Sequence, residues 1–241
     1  MNREKELVQK EYESQLAILE PEFGLSNVQA FKDKAKEAFD KVVPQMHVVF
    51  GNAKLPESTA IISCGTWFNC AGRKEGFCEL SEICYDKCRE VMSADVTRFR
   101  LEEEIAFRSL NAEKIAQQII PQIKARNASK SKEGIKQVRW NEVGELRNQK
   151  DLEKINAISN ILYEEFGIHS YIYTHNRYLD FSIDRPHLTV LGSGFMVDNE
   201  YRVVEDKSTL DEVFFECNCD CTKCNICPLK LDLVIVEEVR R

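Results

Sequence analysis

All ten cysteines of this 241-residue chain fall in two short stretches, Cys64 to Cys88 and Cys217 to Cys227, about 130 residues apart. Cysteines that merely fill a core would scatter along the sequence. Two dense groups instead constrain the fold to bring thiols together in space, as ligands for metal or as redox groups. In the first stretch Cys78, Cys84 and Cys88 stand at spacings of six and four, with Cys64 and Cys70 just upstream. In the second, Cys217, Cys219, Cys221, Cys224 and Cys227 follow one another closely and end on Pro228.

The second group carries the stronger signal. Cys221-x-x-Cys224-x-x-Cys227-Pro228 has the spacing of a ferredoxin-type iron–sulfur loop, in which a turning backbone points successive sulfurs at one cluster. A fourth thiolate would come from Cys217 or Cys219. Zinc competes for the same residues, because a Cys-x-x-Cys knuckle suits a tetrahedral ion equally well. The trio of Cys78, Cys84 and Cys88 has two readings. It is a zinc site completed by an upstream cysteine, or a cluster on three thiolates with one iron open to a ligand.

Composition sets the surroundings. The chain is 43% hydrophobic and carries a formal net charge of −7. It is long enough for one substantial core or two small ones, and its acidity argues against general affinity for nucleic-acid backbone. It holds no run of 18 apolar residues, so no membrane span is expected. The start, Met1-Asn-Arg-Glu-Lys-Glu6, lacks the apolar stretch of a signal peptide. A cytoplasmic protein is expected, where thiols stay reduced.

Apolar periodicity organises the rest. Leu7, Tyr12, Leu16 and Leu19 mark a first helix that Pro21 and Gly24 interrupt, and Ser26 or Asn27 caps a second helix reaching Val43. Residues 1–45 are thus a helical extension. Short strands are expected at Met46–Phe50 and Thr59–Ser63, and one long helix at Asp95–Arg126 with a kink or break at Pro121. Then follow a strand at Gly134–Trp140, a helix at Gln149–Phe166 closed by Gly167, and strands at Ile168–Thr174, His187–Leu191, Met196–Val204 and Lys230–Val239. Alternating strands and helices imply an α/β fold with a parallel sheet, shaped as a partial (β/α) barrel. Residues 46–210 form this core, and 211–241 a cysteine-rich metal-binding segment with the final strand.

In such sheets the sites lie at the carboxyl ends of strands. That edge receives the cysteine loop, the Asn141–Glu145 turn, His175 and Ser193. Gly144 lets a ligand approach the backbone, Glu145 offers acceptors to an amine, and Ser193 between two glycines offers a hydroxyl to a phosphate or carboxylate. His175 is the one histidine placed for chemistry. His47, His169 and His187 lie in or beside apolar strands and read as structural. No Walker loop, Gly-x-Ser-x-Gly elbow or His-Glu-x-x-His motif is present.

Two resemblances follow from these residues. Cys78/Cys84/Cys88, Arg139-Trp140 with Gly144-Glu145, Tyr173-Thr174, Ser193 and Cys221/Cys224/Cys227 occur in an order that resembles a family of phage proteins, the gene-product-eighty-eight-like family, over about residues 60–230. The succession of strand, three-cysteine loop, helix, strand and Gly-Glu turn also resembles the start of radical S-adenosylmethionine enzymes, whose usual cysteine spacing is four then three. That resemblance implies a 4Fe-4S cluster with an open iron on Cys78, Cys84 and Cys88, contact of Gly144 and Glu145 with S-adenosylmethionine, and an auxiliary cluster on the C-terminal cysteines. The substrate would be a small molecule or a protein. The other expectations are a non-catalytic metalloprotein, stapled by zinc or a cluster, that binds a protein partner, and an iron–sulfur redox or sensing protein.

Overall fold

Strands buried on both faces need cover on both, and the chain supplies it in two different ways. The computed structural model describes residues 2–23, 28–81 and 84–238, apart from the side chains of residues 2, 22, 23, 85, 86 and 88. The expected cap at Ser26 or Asn27, the break at Gly24 and the last residue of the final strand, Val239, lie outside the described residues. Eight strands form one sheet: β1 (Val49–Phe50), β2 (Thr59–Ile62), β3 (Gln137–Trp140), β4 (His169–Thr174), β5 (Leu188–Ser193), β6 (Asn199–Val204), β7 (Phe215–Cys217) and β8 (Val234–Glu238). Their order is β1-β2-β3-β4-β5-β6-β8-β7, so the sheet stays open between edges β1 and β7. Only β1 runs antiparallel, against β2; every other pairing is parallel. This is the expected α/β architecture with a partial-barrel sheet.

Helices cover one face. Val138, Trp140, Ile172, Leu188 and Val190 point to it and pack on α6 (Ala112–Asn127) and α7 (Gln149–Phe166) through Ile115, Ile119, Ile123, Leu152, Ile155, Ile158 and Leu162. The Asn148 side chain accepts from the Asp151 N–H and Gly167 ends α7 at φ 67°, so α7 has the limits that its sequence signals. The expected helix over Asp95–Arg126 is instead two, α5 (Ala94–Ser109) and α6. The break falls at Leu110 and Asn111, because the Asn111 side chain caps the Lys114 N–H at 3.1 Å and starts a new helix. Pro121 sits inside α6.

The C-terminal cysteine segment covers the other face. Thr189 Oγ1 donates to the Pro228 carbonyl at 2.7 Å and Asn199 Nδ2 to the Leu229 carbonyl at 2.5 Å. Ile226, Cys227 and Leu233 pack on Tyr171, Leu191 and Ile235. Strands β5 and β6 run parallel although few residues join them. They overlap in a stagger, Leu191 opposite Asn199, and the chain doubles back so tightly that a Cβ on Gly192 would lie 2.1 Å from the Phe195 carbonyl oxygen.

The N-terminal helices α1 (Asn2–Phe23) and α2 (Val28–Asp40) pack on α5 and on the cysteine loop. Their buried face is Val8, Tyr12, Leu16 and Leu19 with Phe31, Ala35, Ala38 and Phe39, set against Leu101, Ile105, Trp67 and Phe68. Val8 rather than Leu7 takes the inward position, which keeps a four-residue step through Tyr12 and Leu16. Pro21 falls in the last turn of α1 and does not end it early. Among the described residues, no helix is long and apolar enough to cross a membrane.

Candidate metal centres at the sheet edge and on its inner face

The loop after β2 is anchored by charged side chains that α4 (Tyr85–Met92) and α5 send beneath it. Trp67 N–H donates to both carboxylate oxygens of Glu90, at 2.9 and 3.0 Å. Thr66 Oγ1 and Asn69 Nδ2 each donate to Glu104 at 3.1 Å. Arg100 donates to Ser63 Oγ at 2.5 Å, to Glu103 at 3.1 Å and to Glu142 at 2.6 Å, so it ties the β2 loop to the β3 loop. Burial pushes the Glu103 carboxyl up to about 8, against the pull of Arg100. None of these anchors showed in the sequence, where Glu90, Arg100, Glu103 and Glu104 carry no motif.

The loops after β2 and β3 meet backbone to backbone. Gly144 has φ 88°, and a Cβ there would lie 3.1 Å from the Gly65 Cα. The close neighbour that requires a glycine is therefore the cysteine loop itself. Glu145 follows, with its side chain almost fully buried. Its Oε1 accepts from Thr174 Oγ1 at 2.6 Å and from the Leu146 N–H at 2.7 Å, and its Oε2 accepts from the His175 N–H at 2.7 Å. One acceptor direction on Oε2 remains, with His175 Nδ1 at 3.7 Å.

Two cysteines join this group. Cys78 hydrogen-bonds to the His175 ring; burial disfavours the charged imidazole, but Cys78 and Glu145 outweigh it and hold the ring at about 9. Cys70 holds the position before α3 (Ala71–Lys74), near the Gly72 and Arg73 N–H groups, and makes no side-chain cap hydrogen bond. Its thiol is pushed up to about 12 by burial, with Glu145 adding to the effect. A Cβ on Gly72 would lie 2.9 Å from Cys78 Cβ and 3.6 Å from Glu145 Cγ. Cys70, Cys78, Glu145 and His175 thus share the carboxyl edge of β2, β3 and β4.

The remaining expected residues fall around this edge. Cys84 occupies the position before α4 and packs against the Trp67–Phe68 cluster. The backbone of Cys88 lies one turn further along α4; its side chain, and that of the neighbouring Tyr85, lie outside the described ones. Cys64 packs into the helix-covered core, where burial raises its thiol well above the usual range. Ser193 ends β5, two strands from β3 on the same edge. His47 stacks on Phe99 at 4.2 Å, and His187 stacks on Tyr163 at 3.5 Å with His169 beside it, so these three rings serve packing.

The second group lies on the inner face. Cys217, Cys221, Cys224 and Cys227 line one cleft together with Gln137, Arg139, Tyr171, Tyr173 and Pro228. Burial pushes the Cys227 thiol up to about 11, a hydrogen bond from the Tyr173 hydroxyl partly offsets this, and the three neighbouring thiols add to it. Cys219 does not line the cleft. It adopts φ 61°, a left-handed conformation rare for a side chain of this kind, and turns toward Glu237. Strand pairing sets Cys217 opposite Glu237, and the ligand atoms of Cys217, Cys219 and Glu237 lie within 4.8 Å of one another. Burial and the Glu237 carboxylate push the Cys219 thiol up to about 12. Glu237 had no signal in the sequence; it became visible only through the β7–β8 pairing.

Fold and site define a class: an open parallel α/β sheet with one cysteine group at its carboxyl edge and another on its inner face. No family model, curated protein or solved structure matches this chain.

Proposed function

We propose that this chain is an iron–sulfur protein and an atypical enzyme of the radical-S-adenosylmethionine type. The observation that carries the reading is the meeting of a cysteine loop with the Gly144–Glu145 turn at the carboxyl edge of a parallel sheet, where Cys70, Cys78, Glu145 and His175 gather. Cys78, Cys84 and Cys88 would hold the edge cluster. Cys217, Cys221, Cys224 and Cys227 would hold a second one. When bound, such a cluster supplies single electrons to a ligand on an open iron.

The protein's own part is binding and orientation. Thr174 and His175 fix the Glu145 carboxylate, and an amino group would share its remaining Oε2 direction with His175 Nδ1, 3.7 Å away. Gly144 sets the turn, and Ser193 offers a hydroxyl further along the same edge. The donor chemistry of the inner-face cleft suits iron, since four thiols line it, and Asp220 beside them is taken up by Lys223 at 2.8 Å. Tetrahedral zinc, bonding each sulfur at about 2.3 Å, draws thiolates to within about 4 Å of one another. Among the described residues, only Cys217, Cys219 and Glu237 form a group of three or more ligand atoms that close. Those three support a second reading, a zinc-stapled protein that binds a partner. The iron–sulfur reading goes with a cytoplasmic setting, where thiols stay reduced, and with the resemblance to the gene-product-eighty-eight-like phage proteins.

Reduced, anaerobically prepared protein given S-adenosylmethionine should release 5′-deoxyadenosine, and Cys78→Ala and Glu145→Ala should each lower the yield by at least tenfold. If no 5′-deoxyadenosine forms and Cys78→Ala leaves the iron content unchanged, the enzyme reading fails and a redox or sensing role takes its place.

A further inference from the structure

Arg139 stands on the inner face of β3 in the middle of the cysteine-lined cleft. A guanidinium removed from water is costly unless an anion or hydrogen-bond acceptors meet it. Among the described residues, Arg139 has no carboxylate at ion-pair distance and no hydrogen-bond acceptor, and its buried Nε has no partner. Its one specific contact is with the Tyr173 ring, whose centroid lies 5.1 Å from the guanidinium carbon. Tyr173 in turn directs its hydroxyl at Cys227. The cation and this O–H both address the four-thiol group, so the cleft pairs a positive charge and a sulfur-directed donor with thiols that become anionic on binding metal.

We infer that the inner-face centre is redox-active rather than a staple, and that Arg139 and Tyr173 set its reduction potential. The inference rests on the proposal that Cys217, Cys221, Cys224 and Cys227 hold an iron–sulfur cluster. Four thiolates make that cluster anionic, and reduction adds one further negative charge. A fixed cation beside it stabilises the reduced form more than the oxidised form and raises the midpoint potential; a hydrogen bond to a ligating sulfur acts in the same direction. The step is a one-electron transfer from an external one-electron reductant such as dithionite. No bond forms or breaks, and Arg139 stays protonated throughout. A structural site needs no such charge, and an apolar residue on β3 would seal the inner face at lower cost.

Anaerobic spectroelectrochemical titration of the full chain tests this, with Cys224→Ala identifying the wave that belongs to the inner-face cluster. Arg139→Gln should move that wave to a more negative potential at unchanged iron and sulfide content. Arg139→Lys should recover most of the shift, and Tyr173→Phe should give a smaller negative shift. An unmoved wave in iron-replete Arg139→Gln overturns the inference, as does a wild-type cluster that shows no reducible wave. If Arg139→Gln fails to retain iron, an unmoved wave in Tyr173→Phe overturns it on its own. Should Cys224→Ala keep all the iron of the wild type, the cluster assignment itself fails, which is a separate result.

Discussion

Glu145 shows how a residue with a weak sequence signal acquires a role from its neighbours. In the sequence it follows Gly144 at a strand end, which also describes an ordinary turn. In the fold its carboxylate ties the loop after β3 to the end of β4, because Thr174 and His175 donate to it as well as its own neighbour Leu146. His175 was legible as a strand-end histidine; its partnership with Cys78 was not, since 96 residues of intervening chain separate them. Glu103 is the opposite case, a polar residue on a charged helix stretch that is fully buried. Its carboxyl is held protonated up to about pH 8, mainly by burial. A carboxyl whose folded-state pKa is raised contributes stability at low pH and loses it as pH rises from the ordinary carboxylate range through 8, because the unfolded chain releases the proton first. Glu103→Gln keeps the neutral shape and removes this linkage. In urea titrations the wild type should lose roughly 3–4 kcal/mol more than Glu103→Gln between pH 5 and pH 8. Parallel pH curves for the two proteins would show that Glu103 is ionised in the folded state and paired with Arg100.

At the scale of elements, local signals predicted well where caps and a long apolar period coincided. Helix α7 has both, with Asn148 and Gly167 at its ends and Leu152, Ile155, Ile158 and Leu162 inward. Asn148→Ala removes the side-chain acceptor for the Asp151 N–H and should destabilise the chain by about 1 kcal/mol in chemical denaturation; a change within error would mean that α7 is set by packing alone. The long helix expected over Asp95–Arg126 failed because periodicity continued through Leu110 while a capping asparagine, Asn111, stood one residue further on. The short helices α3 and α4 and the strand β7 are too brief to carry a period. Tertiary contacts fix them: Glu90 of α4 holds the Trp67 backbone, and β7 exists by pairing with β8.

Across the whole molecule, the parallel sheet and the loops at its carboxyl edge followed from the alternation of strands and helices. What covers each face did not. Inner-face residues such as Arg139, Tyr171 and Tyr173 look like ordinary strand positions until residues 218–233 fold across them. That segment places cysteines, with Ile226 and Leu233, where a parallel sheet needs cover. The sequence therefore announces the thiols but hides their surroundings, which include Arg139, Tyr173 and, beside Cys219, Glu237. Whether the thiols lining this face hold iron is measured directly by iron, zinc and acid-labile sulfide in anaerobically purified wild type and in a Cys221→Ala/Cys224→Ala/Cys227→Ala variant. Wild-type protein is expected to be brown, with iron and sulfide in roughly fourfold amounts per cluster, and the variant to lose at least one cluster's share. A colourless wild-type protein holding stoichiometric zinc and no sulfide would contradict the iron–sulfur proposal.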